Sequence, residues 1–283
     1  MRLRLLPVVA AALTLTGCTI PTEGAAAADN SDPTVPAPLL SVAPVTPTGL
    51  HGRTIFLDPG HSGSHDAAIT AQVPTGRGGT KDCQTTGTNT DDGYPEHTLA
   101  WEVVGQMRTQ LENLGARVVL SRTDDTSVGS CVDERAAAAN ASGADAVVAV
   151  HADGAAPREH GFHVCYSVPP LNAVQTGPSV AFATAMRDAM TVAGFTPSTY
   201  IGDRGLLGRD DLAGLNLATR PSVLVELGNM RNPDEARAMT ADDGRARYAR
   251  AVVAGITSFL GADAGPTTPV RGPGSPARRP GSS

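Results

Sequence analysis

Short aliphatic runs and helical periodicity alternate along the middle of the chain. Residues 54–57, 117–120, 146–150 and 222–225 are dominated by branched or aromatic side chains, and each ends in a glycine or polar turn, as buried strands do. Residues 162–166 alternate in character, which suits a strand with one covered face. Behind Pro95, the residues Leu99, Val103, Val104, Met107, Leu111 and Leu114 recur at helical spacing, and Gly115 follows as a stop. Further helices are expected over about 132–141, 178–193, 210–218 and 234–260, the last with a break near Gly244. The alternation predicts the α/β class: a single domain with a twisted, mostly parallel central sheet flanked by helices on both faces. Residues 74–94 stand apart, with five glycines and no apolar run. A segment of that length without periodicity is either functional or a loose surface excursion.

The two ends of the chain have a different character. Arg2 and Arg4 precede an apolar run over 5–15, too short to span a bilayer as a helix and typical of an export signal. The run leads into Leu15-Thr16-Gly17-Cys18, which resembles a bacterial lipobox, whose cysteine is diacylated and becomes the new N-terminus. Two acyl chains give stable membrane anchoring. Ala26-Ala27-Ala28 offers an ordinary cleavage site instead, although Cys18 follows the apolar run directly. The expected organisation is a signal peptide over 1–17, a Pro/Ala/Thr-rich tether over 18–50, a folded domain over 51–262 and a Pro/Gly/Arg tail over 263–283. Export then leads to a lipid anchor on the outer face of the cytoplasmic membrane, or to secretion into the periplasm or cell wall.

Of the 283 residues 41% are hydrophobic, enough for a core, and the formal net charge of −6 argues against nucleic acid as a partner. Aromatic residues make up 4%, with Trp101 as the single tryptophan, so an aromatic-lined sugar cleft is not expected. Oligomerisation has no signature, and a monomer is the default. If Cys18 is lipidated, Cys83, Cys131 and Cys165 remain. Cys83 and Cys131 lie in polar, loop-like surroundings, whereas Cys165 falls in the alternating strand. The expected disulfide is Cys83–Cys131 with Cys165 free, a pairing that spacing alone does not establish.

Three strands end at an ionisable residue: His61, His151 and Glu226. Ligands of open α/β sheets bind in the crevice beyond those strand ends. Glu96, in the first turn of the long helix, is able to point to the same crevice. Two imidazoles and a carboxylate form a common open zinc set, and a second glutamate suits a proton acceptor. Each residue also has a plainer reading: loop histidines, a helix-start glutamate favoured by the dipole, a buried glutamate paired with arginine. The gaps between them make no compact metal motif.

A resemblance narrows these alternatives. Ile55-Phe56-Leu57-Asp58-Pro59-Gly60-His61, Ser121-Arg122-Thr123-Asp124, Arg135 with Ala139-Asn140, residues 148–151 and Val223-Leu224-Val225-Glu226-Leu227-Gly228 occur in the same order as in zinc-dependent N-acetylmuramoyl-L-alanine amidases of the amidase-3 family. The resemblance spans nearly all of 51–262, and the segment around Cys83 is most similar to the actinobacterial branch. It implies a catalytic domain that cleaves the amide between N-acetylmuramic acid and L-alanine of peptidoglycan. It further implies Zn2+ held by His61, Glu96 and His151, and Glu226 as the catalytic glutamate. Asp153 and Asn229-Met230-Arg231 depart from the family's usual residues and bear on the substrate groove. Other readings are a zinc peptidase or deacetylase of the envelope and a catalytically silent wall-binding lipoprotein. His65 and His97, beside proposed ligands, are expected to be solvent-facing, His51, His160 and His163 structural, and Arg77 and Lys81 part of a solvated face.

Overall fold

A computed structural model describes residues 49–262. The expectations for the signal peptide, Cys18, the tail and nearly all of the tether lie outside the described residues. In chain order the elements are β1 (Thr54–Pro59), β2 (Gln72–Pro74), β3 (Thr80–Asp82), α1 (Glu96–Asn113), β4 (Arg117–Leu120), α2 (Val132–Ala141), β5 (Ala146–Asp153), β6 (His163–Ser167), α3 (Ala173–Thr176), α4 (Pro178–Val192), β7 (Leu206–Arg209), α5 (Ala213–Asn216), β8 (Ser222–Asn229), α6 (Pro233–Thr240) and α7 (Asp242–Ala262). Among the described residues, six strands form one sheet in the order β4-β1-β5-β8-β6-β7. β4, β1, β5 and β8 run parallel to one another, and β6 joins β8 antiparallel and carries β7 parallel to itself.

The period-2 geometry of a strand divides this sheet into two unlike faces. Ile55, Leu57, Val148, Val150, Val223 and Val225 point to one face and form the main core with residues of α1, α4 and α7. Phe56, Val147, Leu224 and Cys165 point to the other face, which α2 and α5 cover with small clusters. His151 and Glu226 are paired across β5 and β8, one strand period beyond the paired Ala149 and Leu224 on that thinly covered face. The chain leaves β1 for β4 on one side and returns to β5 on the other. The sheet order therefore reverses between β1 and β5, at the crevice where such folds bind ligands.

Several expectations need correction. The helix expected over 210–218 is one turn, Ala213–Asn216, because the chain around it follows short β7 and a polar turn. The last helical region divides at Ala241, whose backbone is extended, and not at Gly244. A Cβ on Gly244 would lie 1.9 Å from the Ala238 carbonyl, so that glycine allows α6 and α7 to approach closely. Residues 74–94 are not a loose excursion. They complete the β2–β3 hairpin and then cross the carboxyl ends of the sheet.

Cys83 and Cys131 are disulfide-bonded across 48 residues, and Cys165 is free and buried. The bond ties residues 74–94 to the start of α2, beside the backbone hydrogen bond from Val132 N to Cys83 O at 2.9 Å. Closing a loop of that length stabilises a fold by roughly 2–4 kcal/mol. Replacing both cysteines by serine is expected to lower unfolding stability by about that amount in urea titrations. An unchanged midpoint and slope would show the cross-link to be idle.

Candidate metal centre

β1 ends at Pro59, and the chain turns sharply so that His61 sits in the left-handed backbone region at φ 66°. Such a conformation costs a non-glycine residue about 1–3 kcal/mol and persists only where its surroundings enforce it. Arg135 and Arg122 do so. Arg135 donates to Asp58 Oδ1 at 2.7 Å, Pro59 O at 3.0 Å, His61 O at 2.7 Å and Gln84 Oε1 at 2.5 Å. Arg122 donates to Pro59 O at 2.9 Å, His97 O at 2.7 Å and Asp125 Oδ1 at 2.8 Å, joining the β1 turn to the start of α1. Both guanidiniums are buried, so each donor needs a partner, and the turn supplies carbonyls that would otherwise be unpaired.

Three ligand-capable atoms converge beyond this turn. His61 Nε2 lies 2.8 Å from Glu96 Oε1, His151 Nδ1 lies 3.0 Å from the same oxygen, and the two ring nitrogens are 3.0 Å apart. His61 Nδ1 lies 3.1 Å from Thr85 O and 2.9 Å from Thr85 Oγ1. Donation from Nδ1 to that carbonyl leaves a bare lone pair on Nε2, the usual orientation of a ligating histidine. Glu96 is the first residue of α1, and its two oxygens accept from Ala152 N at 3.1 Å and Thr88 N at 2.9 Å. Burial would raise the Glu96 carboxyl, but the hydrogen bonds with His151 and His61 outweigh it and hold the group below the usual carboxylate range. Burial depresses His151, keeping its imidazole neutral. The donor set fits a divalent metal: two nitrogens and one ionised oxygen from three separate elements, with His61 and Glu96 oriented by outer hydrogen bonds.

Glu226 lies beside this cluster on β8, opposite His151, with Oε2 buried and without a hydrogen-bond partner. Burial, reinforced by the negative charges of Glu96 and Asp153, pushes its carboxyl well above the usual range. It is not the arginine-paired glutamate of the plainer reading, since no ion pair reaches it among the described residues. The four side chains open into a cavity of about 460 Å³ whose wall includes Asp153, Lys81 and Arg209, with Ala149 and Leu224 in its apolar part.

Other candidates fall elsewhere. His65 is exposed, whereas His97 is largely covered and bonded to Asp125 at 2.9 Å, contrary to the solvent-facing expectation. Arg77 does not join a solvated face: it donates to Asn216 Oδ1 and Ser167 Oγ, each at 3.0 Å, and to Pro169 O. Lys81 bonds Asp211 O at 3.3 Å. Asp153 accepts from the Tyr200 hydroxyl at 3.2 Å, and buried Asn229 ties the loop at Ala155, Ala156 and Glu159 to β8, giving both departures a structural role beside the groove. Thr85 and Thr88 were not among the candidates. Their aperiodic Gly/Thr surroundings hold no pattern that marks a ligand-orienting residue.

The N-acetylmuramoyl-L-alanine amidase profile of the amidase-3 family matches residues 55–258. The chain belongs to the amidase-3 family. N-acetylmuramoyl-L-alanine amidase Rv3717 of Mycobacterium tuberculosis is 54% identical over 223 residues, covering 79% of this chain and 92% of that one. The crystal structure of the amidase Ami1 from Mycobacterium smegmatis superposes with a TM-score of 0.75 at 56% identity, over 76% of this chain and 99% of that one. An amidase from Clostridium difficile 630, at 23% identity and a TM-score of 0.58 over 74% of this chain and 97% of that one, shares the fold. This amidase-3 member is thus an N-acetylmuramoyl-L-alanine amidase of the actinobacterial kind, a peptidoglycan hydrolase.

Two predictions follow from the cluster's packing. A Cβ on Gly60 would lie 2.3–2.7 Å from the His151 ring. Gly60→Ala is therefore expected to keep the fold and weaken metal affinity roughly 10–100-fold in calorimetric titration with zinc; unchanged affinity would separate the β1 turn from the site. Partial burial would raise the Asp58 carboxyl, yet Arg135 and Ser121 hold it below the normal value. Its contribution to stability is present above an unfolded pKa of about 3.9 and is lost as pH falls through the lower folded value. Arg135→Gln strands the carboxylate, so urea stability at pH 7 should drop and its decline between about pH 5 and pH 2 should flatten or invert. A parallel downward shift at every pH would contradict this.

Proposed function

We propose that His61, Glu96 and His151 hold a zinc ion and that Glu226 is the proton acceptor in hydrolysis of the amide joining the lactyl group of N-acetylmuramic acid to L-alanine of the stem peptide. The observation that carries this reading is the convergence of three ligand atoms, with an unpaired buried carboxylate one strand away on the same sheet face. Zinc bound there supplies water acidified toward pKa ~7 and a Lewis acid for the scissile carbonyl. The chain's own groups do the rest. Thr85 keeps His61 oriented, and Thr88 N and Ala152 N hold the Glu96 carboxylate. Glu226 takes a proton from the attacking water as its oxygen bonds to the carbonyl carbon. It then returns that proton to the nitrogen as the C–N bond breaks, releasing the stem peptide with a free L-alanine amine. The raised affinity of Glu226 for protons suits both halves of this exchange.

The zinc amidase domain spans 51–262, carried on an exported chain whose signal peptide is 1–17, whose Cys18 is lipidated and whose tether and tail are 18–50 and 263–283. No helix among the described residues is long and apolar enough to cross a membrane. Anchoring in this reading is through the acyl chains of Cys18, and the protein acts as a monomer on peptidoglycan.

Purified full-length chain incubated with muropeptides should release intact stem peptide, lose activity to a chelator and regain it with zinc. Glu226→Gln should keep one zinc per chain while the rate falls by roughly 10²–10⁴. Retained activity, or loss of the metal in that variant, would overturn the assignment of roles; cleavage inside the stem would favour a peptidase.

A further inference from the structure

β6 runs antiparallel to β8 with His163 directly opposite Glu226. Opposed residues of an antiparallel pair share a sheet face, with Cβ atoms about 4.5–5.5 Å apart. On the other flank of Glu226, β5 presents His151 in register. Glu226 therefore stands in a row between two imidazoles, one on each neighbouring strand.

The two imidazoles differ in what they already hold. His151 Nδ1 is engaged with Glu96 and His61. His163 is 1% exposed, and its Nδ1 has no partner. Across the strand gap, Oε2 of Glu226 is equally buried and unpartnered. An unused imidazole nitrogen and an unused carboxylate oxygen thus face the same side of the sheet at one register position.

The charged and polar groups around them are committed elsewhere. Arg209 of β7 is held by Asp211 at 2.7 and 2.6 Å. Asp153 of β5 receives the Tyr200 hydroxyl, and the Tyr200 ring stands edge-on to the His163 imidazole at 6.2 Å. Glu96 is bound to the ligand histidines. Burial lowers the His163 pKa to about 4, which keeps the ring neutral with one N–H to give. A carboxylate acting as a base uses one oxygen, and a donor on the other aims it.

We infer that His163 is a positioning residue for Glu226: its ring N–H donates to one oxygen of the ionised carboxylate, leaving the other to receive the proton of the attacking water. The inference rests on Glu226 being the proton acceptor, and it replaces the purely structural role expected for this histidine.

The test compares full-length His163→Leu, His163→Asn and His163→Gln with the parent, each assayed for zinc content, unfolding midpoint, kcat and KM on one muropeptide. Leucine removes the donor at similar volume; the two amides restore an N–H near Nδ1 or Nε2. The leucine variant is expected to bind one zinc and keep KM within about twofold, while kcat falls by roughly tenfold or more, and one amide variant should recover most of that loss. A leucine variant with parental kcat, or amide variants no better than leucine at equal zinc content, would overturn the inference. If leucine prevents folding, His163→Gln against His163→Met, close in length and differing in the amide, gives the same decision. Glu226→Gln assayed alongside separates the two levels. Activity in that variant removes the underlying assignment, whereas an inactive Glu226→Gln with a fully active His163→Leu removes only the role of His163.

Discussion

The carboxylate of Glu96 and the Oε2 oxygen of Glu226 are buried at the carboxyl end of the sheet, and no arginine or lysine pairs with either residue among the described residues. Burying one uncompensated carboxylate is expensive, and a second close by adds repulsion. The nearby guanidiniums do not relieve this, since Arg122 and Arg135 are committed to Asp125, Asp58 and the carbonyls of the β1 turn. The carboxyl of Glu226 is pushed up by its burial and by the Glu96 charge beside it. Glu96 is held ionised, with two histidine nitrogens against one of its oxygens. A divalent cation among those three atoms is the compensation that the arrangement fits, and the rest of the cleft can be read from that requirement.

In the proposed reading, the fold answers the requirement by drawing the three ligand-capable groups from separate elements. Reversal of strand order between β1 and β5 opens the crevice, β1 delivers His61, the start of α1 delivers Glu96, and β5 delivers His151. Such a site depends on holding the elements relative to one another. Arg135 bridges α2 to the β1 turn, Arg122 bridges that turn to α1, and residues 83–88 bridge both through the disulfide, Gln84, Thr85 and Thr88. These contacts lie at the carboxyl end of the sheet, where hydrogen bonds and a cross-link join elements from both of its faces.

The elements legible in the sequence were those whose burial leaves a period. The strands β1, β5 and β8 are aliphatic runs because a central strand is covered on both faces, and the edge strand β4 is a shorter run of the same kind. α1 repeats its apolar positions because one stripe packs on the sheet and α7. β2, β3 and β7 were missed, being three or four residues each and holding too few positions for alternation to register. His61, His151 and Glu226 were visible as ionisable residues ending aliphatic runs, but a division of roles among them and Glu96 came only with the resemblance to the amidase-3 family. The orienting contacts of Thr85, Thr88 and Arg77 were not legible. A threonine that receives an imidazole N–H and an arginine that closes on Ser167 and Asn216 resemble surface residues until the chain is folded.

The claim most open to direct measurement is that a single metal ion sits among His61, Glu96 and His151, with Glu226 outside its coordination. Crystals of the zinc-loaded protein, recorded on both sides of the zinc absorption edge, test it without reference to activity. The account predicts one anomalous peak bounded by His61 Nε2, Glu96 Oε1 and His151 Nδ1. A peak elsewhere, or one ligated by Glu226, would contradict it.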